Sequence, residues 1–358
     1  MSSDVTVIVR SIGHPLLPRA LHSLASQTYR PEITVVIARP NSVLPAADST
    51  IRYLRSDTPM SRPEAANAGL QSVTTPYFMF LDEDDFFEPN HVEGLRDVLL
   101  RHPTYSIAFS RMRVWEGDQP VETSGRGFWR QRLWEALPFW LHTALCRTAL
   151  RESGVAFDNS LEICEDWDFW IQCAALTDCW FVDQLSANYC RDTGTSGTGG
   201  AGNFDTDRIT RGRLAMTAKW STQLSEIRAA AVVALQAAQH WTRVGDIAQA
   251  RAALQIGVGI DRGNPQLLNW LAACALRQDD ATAAIQFVRR ALQTDPVGVV
   301  LWLQLARAAH RLNQSDTRDQ AIARAREHAR SDHERQAVTK TEAIWHDGKR
   351  SGAESAFS

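Results

Sequence analysis

Phe78-Met-Phe-Leu-Asp-Glu-Asp-Asp-Phe-Phe-Glu-Pro89 sets the reading of the whole chain. From Pro76 to Leu81 the run is apolar and aromatic, of strand length, with no polar face. That is the pattern of a strand buried on both sides. It ends in Asp82, Glu83, Asp84 and Asp85. Four adjacent carboxylates repel one another, and a fold that gathers them at a strand end must offset the repulsion. A divalent cation does so, because Mg²⁺ and Mn²⁺ take one or two carboxylates plus phosphate oxygens. An acidic turn leading into the helix after Pro89 is the plainer alternative. In open α/β sheets, ligands bind at the C-terminal ends of parallel strands.

Working outward, Val5-Thr-Val-Ile-Val9 is a β-branched run that predicts a buried first strand, and Ile33–Ala38 and Ile51–Leu54 predict two more. Leu17, Ala20, Leu21 and Leu24 share one helical face, and Ser61–Ser72 reads as a second helix with Pro63 in its first turn. Strand and helix therefore alternate up to the acidic run, which predicts a mostly parallel sheet with right-handed crossovers. Beyond it, Ser106–Trp115 reads as a strand, Gly117–Gly127 as a loop, and Trp180–Leu185 and Ser186–Cys190 as two short strands. Phe128–Trp140 is rich in rings and reads as aromatic core, with a stacking platform for a sugar or base as the alternative.

Leu161-Glu-Ile-Cys-Glu-Asp-Trp-Asp-Phe-Trp-Ile-Gln-Cys173 is the second informative stretch. A helix from Trp167 puts Asp166 near its N-terminus, where the dipole and free N–H groups favour an ionised carboxylate. Helix capping and a functional carboxylate are compatible readings. The Gly- and hydroxyl-rich stretch Arg191–Gly202 reads as a linker or as a lid over substrate.

After about Ser221 strand signal ends and a period of 34 appears. Ala238, Ala272 and Ala306 are one period apart, as are Ala250 and Ala284, and Gly257 and Ala291. Small residues at fixed places let paired helices pack closely, and this period resembles that of tetratricopeptide repeats. Arg318 stands where a third Ala is expected, so the last unit reads as a polar cap. The expected division is 1–220 for the α/β domain, 221–336 for the repeats and 337–358 for a polar, fraying tail.

The 358 residues suffice for two or three domains, and a net charge of -3 gives no global pull toward nucleic acid. Six scattered cysteines form no Cys-x-x-Cys pair, which predicts reduced thiols rather than a zinc site. With no signal-like N-terminus and no apolar run near the ~20 residues of a membrane span, a cytoplasmic location is expected. Peripheral docking on a membrane stays open.

In order along the chain, these motifs resemble those of family 2 glycosyltransferases with the GT-A fold. Val5–Ser11 resembles the opening strand with its nucleotide-contacting loop, and Ser23–Tyr29 the segment after the first helix. Arg62 and Asn67-Ala-Gly69 resemble the stretch before the acidic strand, and Phe80–Asp85 resembles the Asp-x-Asp motif. Glu165-Asp166-Trp167 resembles the acidic pair holding the catalytic base, and Tyr189-Cys-Arg191 with Thr195-Ser196 a late Tyr-x-Arg segment. One departure stands out: the family's second strand usually ends in acids that help hold the nucleotide, and here Ala38-Arg39-Pro40-Asn41-Ser42 follows.

The resemblance implies an inverting, metal-dependent transfer from a nucleotide-sugar to a hydroxyl on a glycan, a lipid-linked acceptor or a protein. It implies Asp84 and Asp82 as holders of Mn²⁺ or Mg²⁺, Asp166 as the base and Glu165 as the second choice. Ser11, Arg62, Asn67, Asp82 and Arg191 are the implied contacts to the nucleotide-sugar. The repeats imply a protein partner. The competing expectation is a non-catalytic scaffold built on a degenerate transferase domain. A nucleotidyltransferase is disfavoured, since Arg10–Arg19 carries one glycine.

Overall fold

The computed structural model describes residues 3–42, 44, 49–135, 137–193 and 206–347. The chain divides into two units, Met1–Ser225 and Glu226–Ser358. The expected order is found, an α/β unit first and an all-α unit second.

Unit one is built on a nine-stranded sheet. In chain order its elements are β1 (Val5–Ser11), α1 (Leu17–Ala25), β2 (Glu32–Ile37), β3 (Ile51–Arg55), α2 (Arg62–Gln71), β4 (Tyr77–Asp82), β5 (Phe86–Phe87) and α3 (His91–Arg101). Then come β6 (Ile107–Glu116), β7 (Gln119–Ser124), α4 (Arg132–Glu135), β8 (Ala144–Arg147), α5 (Ala149–Glu152), α6 (Glu165–Leu176) and β9 (Cys179–Cys190). The sheet order is β3-β2-β1-β4-β8-β6-β9-β5, with β7 hairpinned onto β6.

Strands β3, β2, β1 and β4 are parallel neighbours, as the alternating pattern requires. Beyond β4 the sheet turns mixed: β8 runs antiparallel to both β4 and β6, while β9 runs parallel to β6. The apolar strands are buried along their length, β1 throughout. One side of the sheet packs Phe78, Phe80 and Phe109 against α2 and α6 residues, and the other packs Val7, Met79 and Leu81 against α1 and α3.

Three sequence expectations change. Gln119–Ser124, read as loop, is the outer strand of a hairpin. The two short strands expected over 180–190 are one strand, β9, whose pairing to β6 shifts register near Arg111. Such an irregularity accommodates the polar Asp183-Gln184 step. The aromatic stretch divides, with Phe128 and Phe139 in the core and Trp140 at the cavity described below. All six cysteines are free.

A long helix, α7 (Thr206–Arg243), follows, and its residues up to Ser225 belong to unit one. Unit two continues with α8 (Ile247–Ile260), α9 (Pro265–Arg277), α10 (Ala281–Thr294), α11 (Val299–Arg311), α12 (Ser315–His328) and α13 (Asp332–Asp347). The 34-residue period is physical. Ala238, Ala272 and Ala306 are fully buried, as are Ala250 and Ala284. A Cβ on Gly257 would come within 2.6 Å of the Ala234 methyl, so glycine there permits the close helix approach. Gly245, Asp279 and Asn313, again one period apart, all take positive φ at the turn between helices. Asp246 and Asp280 then cap α8 and α10 through their side chains, whereas Gln314 makes no such cap on α12. The expected fraying from residue 337 is corrected. Helix α13 runs to Asp347, because Val338 is buried and Trp345 packs on the same core. Residues 348–358 lie outside the described residues.

Candidate active site

The acidic run forms the turn between β4 and β5, closed by Asp85 N donating to Asp82 O at 3.1 Å. Each of its four carboxylates has a different fate. In the β1/β4 register Arg10 lies opposite Asp82. Arg10 forks onto Asp82, with Nε to Oδ1 at 2.8 Å and Nη2 to Oδ2 at 2.9 Å. Burial would raise the Asp82 pKa, but Arg10 and Arg62 outweigh it and hold it below the usual range. Glu83 turns the other way and accepts from Ser11 Oγ (2.6 Å), Ile12 N (2.9 Å) and His14 N (2.7 Å). It thereby fixes the loop that follows β1. Asp85 is buried, accepts from Cys190 N at 2.9 Å, and lies 3.4 Å from His142 Nδ1.

Asp84 is different. Among the described residues, Thr193 Oγ1, at 3.2 Å, is the one side-chain donor to its carboxylate, and it has no ion-pair partner. Burial, reinforced by Asp82, pushes its pKa up. Its backbone carbonyl is held by the Arg19 guanidinium.

The second acidic group opens α6. Cys164 precedes it at φ 64°, a left-handed conformation that a non-glycine residue adopts at a cost of about 1–3 kcal/mol. This sharp entry aims Glu165 and Asp166 at the same space as the β4–β5 turn. Glu165, 2 % exposed, lies 3.1 Å from Arg62 Nε and 3.7 Å from Arg10 Nη1. Glu165 in turn raises the pKa of Arg62. Asp166 makes no ion pair among the described residues and accepts only from Trp167 N at 2.8 Å. Burial, with Glu165 beside it, pushes Asp166 up to about 6. Asp168 faces away, fully buried. It accepts from Trp220 Nε1 (2.7 Å) and Gln172 Nε2 (2.7 Å) and pairs with Lys219 (2.8 Å), which binds α7 to α6.

The four acids of the turn, with Glu165 and Asp166, line one cavity of about 370 Å³ at the C-terminal ends of β1 and β4. It brings together Ser11, Arg62, Asp82, Asp84, Glu165 and Asp166 of the expected site residues. Two others lie elsewhere. The Asn67 amide is used by Phe157 N and O and by Asn159. Arg191 pairs with Glu116 and Glu122 on the β6–β7 hairpin. Ser11 lines the cavity, but its hydroxyl is spent on Glu83 and on Gly13 N. Thr195 and Ser196 lie outside the described residues.

Sequence reasoning passed over Arg10, Glu83, His142 and Asp168. Arg10 had a signal, a lone cation ending an apolar strand. At the end of β2, Ala38 lines the cavity with Ile12 and Met60, and Arg39 is exposed.

Residues 6–152 match the model of Glycosyl transferase family 2. Residues 6–152 of unit one thus carry a family 2 glycosyltransferase domain, and the sheet is GT-A-like. Curated protein sequences gave no match. Among solved structures the chain is similar to S. aureus TarS 1–349 in complex with UDP, at 15 % identity over 91 % of each chain with a TM-score of 0.48. The UDP-GlcNAc complex of the same protein gives 15 % identity, 91 % of each chain and 0.44. The longer S. aureus TarS gives 12 % identity and 0.43, over 100 % of this chain and 57 % of that one.

Proposed function

We propose that this chain transfers a sugar from a nucleotide-sugar to an acceptor hydroxyl with inversion at the anomeric carbon. The observation that carries this reading is that Asp84 and Asp166, from distant segments, line one cavity without ion pairs while their acidic neighbours are bound. Inverting transfer needs those two functions. A base must take the acceptor proton on one face of the sugar, and positive charge must meet the diphosphate leaving from the other. Asp166, with a pKa near 6, is ionised at neutral pH yet basic enough to take a proton. Glu165, bound between two guanidinium groups, is the less available carboxylate.

The residues fit a hard divalent cation at Asp84. No group of three or more His, Cys, Asp or Glu side chains forms a metal cage among the described residues. One unpaired carboxylate suits Mg²⁺ or Mn²⁺, which keep water and phosphate oxygens as their other ligands. Bound there, the cation would supply neutralisation of the leaving diphosphate. Asp82 is less suited to hold it, because both its oxygens carry the Arg10 fork. Arg62, which lines the cavity, is our candidate to meet the diphosphate, and it is favoured over Arg191, which is paired with Glu116 and Glu122.

The acceptor class stays at any hydroxyl-bearing glycan, lipid-linked chain or protein. The helical unit, with its 34-residue period, serves as a tetratricopeptide-like surface for a protein partner. No described helix is long and apolar enough to cross a membrane. One observation favours the scaffold reading instead: among the described residues, the segment 38–42 that follows β2 offers no carboxylate to hold a nucleotide.

Isothermal titration with a panel of nucleoside diphosphates, with Mn²⁺ or with EDTA, separates the two. Metal-dependent binding by the wild type, lost in Asp84→Ala, is the expected result. Absence of binding of every nucleotide to a well-folded sample would establish the scaffold reading.

A further inference from the structure

His142 sits in a single 3₁₀ turn, Leu141–Thr143, directly before β8. It is 4 % exposed, yet it lines the cavity. Its Nδ1 faces Asp85 Oδ2 at 3.4 Å, and its ring lies nearly parallel to Tyr189, with centroids 6.2 Å apart and an angle of 21°. Its Nε2 is buried and has no hydrogen-bond partner among the described residues. A buried polar atom left unmatched is unfavourable, and one on a residue that lines a ligand cavity is explained by a partner that the ligand brings. Nothing in the proposed chemistry uses this nitrogen.

We infer that His142 Nε2 hydrogen-bonds a hydroxyl of the donor sugar and helps select which sugar is accepted. This inference rests on the nucleotide-sugar reading. Asp85 faces the ring from its Nδ1 side, and Nε2 is the nitrogen left without a partner among the described residues. A sugar hydroxyl gives and accepts hydrogen bonds, so it matches Nε2 in either state. A phosphate oxygen matches only one. The neighbours suit a sugar: Trp140 and Tyr189 also line the cavity and give apolar ring faces beside this one polar atom. A site that hydrogen-bonds a substrate hydroxyl discriminates strongly against an analogue that lacks it or points it elsewhere.

The probes are UDP, UDP-glucose, UDP-galactose and UDP-GlcNAc, titrated with Mn²⁺ against wild type, His142→Phe and His142→Gln. His142→Phe keeps a ring against Tyr189 and removes the nitrogen, while His142→Gln offers a new polar atom. The expected result is that His142→Phe binds UDP like the wild type but binds the preferred UDP-sugar about tenfold more weakly. His142→Gln should recover part of that loss or change the order of preference among the three sugars. Equal affinity of wild type and His142→Phe for the preferred UDP-sugar would overturn the inference. So would a parallel loss for UDP and UDP-sugar, which marks a merely structural ring, or an effect confined to the acceptor KM. If the wild type binds another nucleoside diphosphate of the panel instead of UDP, the same comparison is made with that nucleotide's sugars; if it binds none, the nucleotide-sugar reading itself fails and the inference falls with it.

Discussion

The β4–β5 turn and the N-terminus of α6 are the two acidic runs of unit one, and they are organised alike. In the first, Asp82 is held by Arg10, Glu83 by the loop after β1 and Asp85 by Cys190 N, which leaves Asp84 open. In the second, Glu165 is held by Arg62 and Asp168 by Lys219 and Trp220, which leaves Asp166 open. Their difference lies in what surrounds the open acid. Asp84 is backed by a second carboxylate in its own turn, which suits a cation. Asp166 sits at a helix N-terminus beside an ion-paired glutamate, which suits a proton acceptor. A run of acids is therefore not one functional unit. Most members build the frame, and one in each run is left open to the cavity.

Removing the open acids tests that division most severely. Asp84→Asn and Asp166→Asn are each expected to lower kcat/KM by roughly 10²–10⁴-fold or more, read as nucleoside diphosphate release. Neither substitution should lower the unfolding midpoint below that of the wild type. A bound neighbour that proves equally important for rate, with unchanged stability, would break the comparison.

Asp168→Ala is expected to do the reverse. It leaves Trp220 Nε1 and Gln172 without their buried acceptor and removes one partner of Lys219. Half-exposed Lys219 keeps Asp158, so the loss should be about 2–3 kcal/mol, toward the lower end for a broken buried pair. Urea unfolding followed by tryptophan fluorescence measures it. Below the transition, kcat should change by less than about threefold if Asp168 is frame alone, a loss well under 1 kcal/mol.

Glu83→Ala falls between these extremes. Its three hydrogen bonds tie Ser11, Ile12 and His14 to the acidic turn. Without them the loop after β1 loses its fixed path along the cavity. Nucleotide affinity should drop by about tenfold, the weight of one or two such bonds, with kcat at saturation little changed. Titration of wild type and variant with the same nucleoside diphosphate checks it.

Much of the fold was legible because β1, β2 and β4 are buried on both faces and must be written in apolar residues. The repeats were legible because a close helix approach demands a small residue at the same place in each unit. What was missed depends on pairings that no local pattern encodes. Arg10 opposite Asp82 is a matter of parallel register, which the whole sheet sets. Asp168 looked like any acid in a first helical turn, since Lys219 and Trp220 lie far along the chain. Strand β7 is exposed, polar and carries Pro120, so its sequence resembles a loop, and only β6 makes it a strand. The roles of Asn67 and Arg191 were read from motif order, and local partners at Phe157 and on the β6–β7 hairpin occupy both side chains.

The smallest expected effect concerns how the frame tunes the open acid. Burial, with Glu165 adding like charge, raises the Asp166 pKa to about 6. A base must be ionised, so kcat/KM should rise with pH through about 6 and level off above 7. Glu165→Gln removes the like charge and should move that limb to lower pH. The same substitution also frees Arg62 to approach Asp166, which shifts the limb in the same direction. Stability should run opposite to rate. An acid whose folded pKa is raised contributes stability that is fully present below its unfolded pKa near 4. That contribution is lost as pH rises through about 6. Asp166→Asn should therefore raise the unfolding midpoint at pH 7.5 and leave it nearly unchanged at pH 4. A limb that stays in place in Glu165→Gln would show that neither the charge of Glu165 nor its hold on Arg62 sets the basicity of Asp166.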